Sequence, residues 1–123
     1  MNRSTTLAAC GVMLVASLCG CGTSDYGRIT HKMAEYEVRA TRDRQSLDES
    51  KDKADKLVHL NALIRNTELQ LKIARRINPE SNPQYRNGKM DLKAARADKE
   101  ARVSGLETRL SEYIKQRDAL NAG

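Results

Sequence analysis

The chain has no tryptophan and no phenylalanine among its 123 residues, so four tyrosines are its only aromatic side chains. β-Branched residues are also scarce after the first twenty residues, and the sequence therefore offers little support for strands or for a compact aromatic core. Ala, Glu, Lys, Leu and Arg instead supply 50 of the 103 residues from 21 to 123, a share typical of long helices and coiled coils. We predict an all-α chain that buries its apolar residues in narrow seams between helices.

Cysteine is confined to the first 21 residues, at Cys10, Cys19 and Cys21. Downstream of Cys21 the chain has no thiol, which excludes disulfide bonds and cysteine-ligated zinc there. The two histidines, His31 and His59, lack the spacing of a zinc motif, and the sequence has neither a glycine-rich phosphate loop nor a Gly-x-Ser-x-Gly elbow. We therefore expect no metal site, no cofactor and no enzymatic activity.

The first twenty residues have the order of an export signal. Arg3 supplies the positive charge, and residues 7–18 form an apolar run of 12 residues, shorter than the ~20 that a membrane-spanning helix needs. The run closes with Leu18-Cys19-Gly20-Cys21, which resembles the lipobox of bacterial lipoproteins. The resemblance implies cleavage between Gly20 and Cys21, diacylglycerol on the Cys21 thiol, and acylation of the new amino terminus with a fatty acid such as palmitate.

Membership in that class implies an exported chain, held by its lipid at a membrane of the cell envelope. Gly22 after Cys21 resembles the default outer-membrane sorting signal, so we expect the periplasmic face of the outer membrane in a host that has one. Residues 7–10 also fit the motif, but cleavage there would leave almost no apolar segment for export. Simple secretion and an uncleaved anchor are the alternatives.

Both prolines of the chain fall in one short segment, at Pro79 and Pro83. Because proline disfavours helix in the residue before it, a helix should end near residue 77. Asn87-Gly88 adds a second turn signal, and Asn82 before Pro83 has the pattern of a helix cap. We predict a chain reversal near residues 78–88.

The segments on either side of this turn carry apolar faces at helical spacing. The face before the turn comprises Leu57, Leu60, Ile64, Leu71 and Ala74, widened by Leu63 and others. The face after it comprises Leu92, Lys99, Val103, Leu106, Leu110, Tyr113, Arg117 and Leu120, with Arg96 between the first two. Folding these segments antiparallel about residue 82 predicts that Leu60 lies near Leu106 and Leu47 near Leu120.

These patterns divide the chain into a signal peptide (1–20), a lipidated N-terminus with a membrane-proximal helical stalk (21–45), and a long antiparallel helical hairpin (46–123). Ser46-Leu47-Asp48-Glu49 has the spacing of a capping box, so a helix either restarts there or continues with Ser46 in solvent. The apolar positions of the stalk, Ile29, Met33 and Tyr36, have no mate in the hairpin. We expect another protein or a second copy to cover them.

The net charge of +6 is unevenly distributed. Six basic residues converge on the predicted hairpin tip: Lys72, Arg75, Arg76, Arg86, Lys89 and Lys93. A basic tip held away from the membrane could contact peptidoglycan or another anionic envelope polymer, lipid phosphate or an acidic partner. The alternative is that these residues only complement the helix dipoles and keep the tip soluble. Nucleic acid is not an expected partner, because the chain is predicted to be exported.

Together these features predict a lipid-anchored envelope protein whose coiled-coil hairpin is a structural or partner-docking element. A periplasmic chaperone or stress sensor, and an exclusion lipoprotein of the kind carried by plasmids or phages, are the alternative functions. The identity of the partner and self-association are left open.

Overall fold

A computed structural model describes the backbone of residues 2–123 and the side chains of residues 25–123. Three long helices, α1 (Asn2–Glu49), α2 (Lys53–Ala74) and α4 (Leu92–Ala122), account for most of this part of the chain. A 3₁₀ turn (Pro79–Ser81) and the short helix α3 (Pro83–Arg86) lie between α2 and α4. Residues 2–123 contain no strand, so the predicted all-α class is confirmed.

The three long helices pack as a bundle with α2 in the middle, in contact with both α1 and α4. α1 and α2 are antiparallel, since the chain reverses within 50–52, and α2 and α4 are antiparallel across the 75–91 connection. α1 and α4 are therefore parallel. Three side-chain pairs between them show a nearly constant register, with sequence separations of 76, 72 and 69 for Tyr26–Arg102, Glu37–Arg109 and Arg44–Tyr113.

The middle position of α2 explains its broad burial. A helix in a two-helix hairpin buries one stripe, whereas α2 buries side chains toward two neighbours. Leu60, Leu63 and Thr67 are its largest fully buried side chains, each with an exposed fraction of 1% or less. Leu63, which the sequence assigned only to the margin of the seam, is fully buried because α1 covers that side.

The first reversal differs from both sequence-based alternatives. No new helix begins at Ser46, and α1 does not run uninterrupted to residue 77. Instead, α1 ends at Glu49. The Ser50 hydroxyl donates to the Ser46 carbonyl over 2.6 Å, and the Ser50 amide donates to the Leu47 carbonyl. Asp52 is then extended and begins α2. Short polar side chains compete with helical backbone bonds in this way, and the Ser50 side chain does so at the end of α1.

The second reversal lies where the prolines predict it. Asn78 and Asn82 each precede a proline, and their side chains accept hydrogen bonds from the Glu80 amide over 3.1 Å and the Gln84 amide over 2.9 Å. Asn82 is 4% exposed and caps α3, as its position before Pro83 predicts. Gly88 has a φ of +81°, a left-handed conformation that favours glycine. The 75–91 connection is thus an ordered segment that contains two capped turns.

The apolar face of α4 is confirmed at its centre, where Leu106 and Tyr113 are buried. At its start, Ala95 is buried and Arg96 is exposed, contrary to the assignment of Arg96 to the seam. The 3₁₀ turn packs against α4. In the predicted hairpin, the last residues of α2 would lie at this position along α4.

That displacement changes the helix register. Leu106 packs with Leu71 in one apolar cluster and Leu60 with Tyr113 in another, so the predicted Leu60–Leu106 pair is wrong. Leu47 and Leu120 do pack against the same cluster.

The first described side chains also correct the predicted stalk. Met33 and Ala40 of α1 are 9% and 1% exposed, and they belong to the two apolar clusters that α2 and α4 complete. The helix over 25–49 is therefore the third member of the bundle. The sequence-based prediction missed the burial of Met33 and Ala40, because folding about one turn overlooked the first reversal at 50–52.

None of the helices in the described part of the chain is both long enough and apolar enough to span a bilayer.

Candidate functional site

A polar layer crosses the bundle between its two apolar clusters, and its centre is Glu37 of α1. The Glu37 carboxylate accepts hydrogen bonds from Arg44 of α1 (2.7 Å), Arg109 of α4 (2.9 Å) and Gln70 of α2 (3.2 Å). One side chain thus contacts all three long helices. Charge-assisted bonds of this kind are directional, and they hold the helices at one relative height.

Two further side chains extend the layer. Asn66 donates to the Tyr36 carbonyl over 2.9 Å and accepts from Gln70 over 2.8 Å. Arg44 also lies 3.3 Å from the hydroxyl oxygen of Tyr113, to which it donates. Every buried polar side-chain atom in residues 25–123 has a hydrogen-bond partner. The layer is therefore a satisfied network rather than a set of strained groups awaiting a ligand.

The network shifts the protonation of its two ionic members. Partial burial of Glu37 opposes ionisation, but the hydrogen bonds from Arg44 and Gln70 and the positive charges of Arg109 and Arg44 outweigh it and lower the pKa of Glu37. Hydrogen bonds to Tyr113 and Glu37 raise the pKa of Arg44, against the effect of its own burial. Both side chains are charged at neutral pH, so the ion pair is complete under ordinary conditions.

The layer separates two apolar clusters. One contains Met33, Leu71, Ala74, Ile77 and Leu106, and we call it the connection-side cluster because it adjoins the 75–91 connection. The other contains Ala40, Leu60, Leu63, Ile64 and Tyr113, and we call it the turn-side cluster because it lies toward the 50–52 turn. A one-turn slip of α1 would move Glu37 away from Arg109 and Gln70 and toward an apolar cluster, so the layer favours the observed register.

Sequence reasoning did not find this layer. Asn66 and Gln70 are one helical turn apart, beside the seam residues Leu63 and Leu71, and that i, i+4 amide pair was the available signal. Glu37 lies in a charged stretch of α1 whose residues looked solvent-facing. Its role depends on Arg109, which is 72 residues away, and a sequence-local pattern could not supply that pairing.

The three residues predicted to contact a partner are divided among different environments. Met33 is inside the connection-side cluster, and Ile29 packs against it. Their intramolecular mates are Leu71, Ile77 and Leu106, so the premise that they lack one is wrong. Tyr36 is half-buried and lines an open groove between α1 and α2, with the Arg39 guanidinium 5.5 Å from its ring centre.

All six predicted basic-tip residues are exposed in the structure. Their side chains lie on the ends of α2 and α4 or in the 75–91 connection, as the sequence predicts. One of them, Arg75, approaches Glu107 of α4 to 3.7 Å at the surface. Exposed pairs of this kind contribute little to stability.

The predicted hairpin would hold the basic tip far from the N-terminal stalk. In the structure, the tip lies at the same end of the bundle as the start of the described side chains. The 3₁₀ turn contacts α1, and Tyr26 and Ile29, near the start of the described side chains, pack against the connection-side cluster. Residues 25–29 and the basic connection therefore share one end. The tip is not held away from the N-terminus but lies beside it, because α1 adds a third pass to the bundle.

The histidines occupy ordinary positions. His31 is exposed and its Nε2 is 3.3 Å from Glu35, one turn away, whereas His59 of α2 is 3.6 Å from Asp43 of α1. No group of three or more His, Cys, Asp or Glu side chains within residues 25–123 is arranged to hold a metal ion.

The predicted lipidation and cleavage site, Gly20 and Cys21, lies outside the described side chains. The first described side chain, Asp25, is four residues further on. At about 3.3–3.6 Å per extended residue, Cys21 lies within ~14 Å of Asp25 in any backbone conformation. This distance limit places the cysteine at the basic end of the bundle.

Comparison with protein-family models, curated proteins and solved structures finds no match to this chain.

Proposed function

We propose that this chain is a lipid-anchored envelope protein whose three-helix bundle is a structural or partner-docking element at the membrane surface. The observation that carries the proposal is Leu18-Cys19-Gly20-Cys21, placed behind Arg3 and an apolar run of signal length. Cleavage before Cys21 would leave a chain without a free thiol once that cysteine is acylated. In a host with an outer membrane, the bundle belongs on its periplasmic side. The proposal includes no enzymatic activity.

The continuity of α1 supports a rigid attachment. Asp25 is four residues from Cys21, and the core begins at Met33, so little chain separates the anchor from the packed bundle. An anchor on a long loose tether would let the bundle sample many heights above the membrane. A short connection instead keeps one end of the bundle at the bilayer surface, which suits a spacer or a docking platform.

Tyr36 is the remaining candidate for partner contact among the three residues predicted from the sequence. It lines the α1–α2 groove together with Arg39, Arg65 and Leu69, and Leu69 is 37% exposed despite its apolar side chain. Aromatic and arginine side chains are enriched at protein interfaces. The groove is thus the part of the outer surface best suited to a protein partner or a second copy.

The surface composition favours docking over a chaperone or stress-sensor role. In the described part of the chain, the large apolar side chains with substantial exposure are Val38, Val58 and Leu69. A client-binding chaperone needs a contiguous apolar patch of several hundred Å². Val58 and Leu69 lie three turns apart on α2, too far to form one patch.

Mass spectrometry of the mature protein tests the anchor. We expect a chain that begins at Cys21 and carries a diacylglycerol and an amide-linked acyl group. Cys21→Ser should abolish both cleavage and lipid, whereas Cys10→Ser and Cys19→Ser serve as matched controls and should leave both intact. A mature protein that begins at another residue without lipid would refute the proposal.

A further inference from the structure

The basic end of the bundle carries an excess of positive charge. Residues 72–93 contain six basic and two acidic residues. The carboxylate of one acid, Asp91, accepts a hydrogen bond from the Ala94 amide over 2.7 Å at the start of α4. Glu80 and Asp91 are both exposed and both keep their charge, so residues 72–93 carry a net charge of +4, and Glu107 of α4 approaches Arg75 to 3.7 Å. This surface therefore attracts anions.

The part of α1 that leads to the proposed anchor at Cys21 lies at the same end of the bundle. Cys21 lies within ~14 Å of Asp25 by chain length. The packing of Tyr26 and Ile29 places this part of α1 beside the 75–91 connection. A lipid on Cys21 would bring the basic residues close to the headgroups. The surface potential of an anionic bilayer decays over a Debye length of about 8 Å at physiological salt, so only this end falls within its reach.

We propose that the exposed bases of the 75–91 connection and its flanks bind the anionic phospholipid headgroups of the membrane that holds the anchor. This inference rests on the lipid anchor of the proposed function and adds a second, electrostatic contact to it. The three acyl chains of the proposed lipid already hold the chain at the bilayer, so the basic contact sets the orientation of the bundle rather than its attachment. The pair of contacts would orient the bundle with its 50–52 turn farthest from the bilayer. The length of α2 puts that turn about 33 Å away at ~1.5 Å per residue.

The test uses the processed, acylated protein reconstituted into vesicles, with a fluorescent label at a single introduced cysteine. Acylation of Cys21 leaves no other thiol to react. Gln84→Cys places the label on exposed α3 at the basic end, and Asn121→Cys places it at the exposed opposite end of α4. A lipid-borne quencher then reports which end lies at the surface.

With phosphatidylglycerol in the vesicles we expect strong quenching at residue 84 and little at residue 121. In vesicles of phosphatidylcholine alone, or at high salt, the difference should shrink. Arg86→Gln/Lys89→Gln/Lys93→Gln should reduce the ratio of docked to undocked bundle roughly fivefold for each charge removed. The matched control, Lys51→Gln/Lys53→Gln/Lys56→Gln, removes the same charge at the other end and should have no effect.

This inference would be overturned by equal quenching at the two labels, or by quenching at residue 84 that does not depend on the anionic lipid. Neither result would contradict the lipid anchor. Loss of docking in both triple variants would also overturn it, because net charge rather than this surface would then be responsible. A wild-type protein that carries no lipid and fails to stay with the vesicles would refute the anchor, and this inference with it.

Discussion

The two ends of the bundle both reverse the chain between antiparallel helices, yet they are built and charged differently. At the 50–52 turn, residues 48–56 contain four acidic and three basic residues and nearly cancel. At the other end, the 75–91 connection contains two capped turns within a strongly basic surface. The first reversal is a minimal break in a charged stretch, whereas the second is a structured element that also packs against α4.

This contrast indicates a division of roles along the axis. A turn of near-neutral, interleaved charge is suited to solvent, because its charges are mutually screened and well hydrated. The ordered 75–91 connection holds its basic side chains at fixed positions, so their electrostatic potentials add. The long helices fix the distance between these ends, so the charge asymmetry runs along the axis of the bundle.

The largest effects should come from core truncations on the two sides of the layer. Leu63→Ala empties a fully buried position of the turn-side cluster, and Met33→Ala empties one that is 9% exposed in the connection-side cluster. Such truncations cost about 2–5 kcal/mol, and Leu63→Ala should be the larger because its site is covered by both neighbours. Thermal or urea unfolding of the purified protein measures both.

Val38→Ala is the matched control on α1, because Val38 is 56% exposed. It should change the free energy of unfolding by less than about 0.5 kcal/mol. If Met33→Ala were as mild as Val38→Ala, the helix over 25–49 would be a stalk after all, and the connection side would rest on α2 and α4 alone.

A smaller effect should distinguish the helix caps at the two ends. Asp91 caps α4 through a hydrogen bond to the Ala94 amide, whereas the side chain of Asp52 makes no capping bond at the start of α2. Asp91→Ala should therefore cost about 1 kcal/mol, within a range of about 0.5–2, and Asp52→Ala less. Paired unfolding curves of the two variants measure the difference. A larger loss for Asp52→Ala would show that the 50–52 turn is the better-defined reversal.

The smallest effect, and the most specific, concerns the pH dependence of the layer between the ends. The pKa of Glu37 is lowered from its ordinary value of 4.5, so its ionised form stabilises the fold fully above that value. The stabilisation is lost as the pH falls through the lower, folded-state pKa. Glu37→Gln should be less stable than the wild type at pH 7, and the two should converge in acid. The Glu37 side chain is 38% exposed, so solvent screens the effect and keeps it modest.

Glu35→Gln is a matched control, since Glu35 is exposed on the same helix and pairs only with the exposed His31. Because exposed pairs contribute little to stability, Glu35→Gln should stay within about 0.5 kcal/mol of the wild type at each pH. A constant difference between the wild type and Glu37→Gln at every pH would mean that the hydrogen bonds of Glu37, and not its charge, hold the three helices together.

The all-α class and the second reversal followed from local chemistry. Pro79, Pro83 and Gly88 restrict their own backbone angles, and Asn78 and Asn82 cap the turns that follow them, so sequence neighbours suffice to place this connection. The central seam of α4 was predictable for the same reason, because Leu106 and Tyr113 repeat at the helical period. Alone, these signals describe helices and one turn.

Which helices meet, and at what height, was beyond local reasoning. The sequence signal for a helix break at Ser50 is weak, because it lies inside a charged stretch. Without that break, the predicted chain had two antiparallel helices where the structure has three. That error left Met33 without a mate and put the basic tip far from the N-terminus, whereas the 3₁₀ turn in the connection displaced Leu60 from Leu106. Each of these positions depends on contacts between residues distant in sequence.

The order of residues therefore specifies the helices and the proline-rich connection, since each needs only near neighbours. The assembly specifies the Glu37 layer, the burial of α1 and the position of the basic surface beside residues 25–29. These depend on a sum of weak interactions among three helices, in which Glu37 must find Arg109 and Gln70 at once. The partners of this partly exposed carboxylate come from three helices, and their convergence exists only in the folded chain.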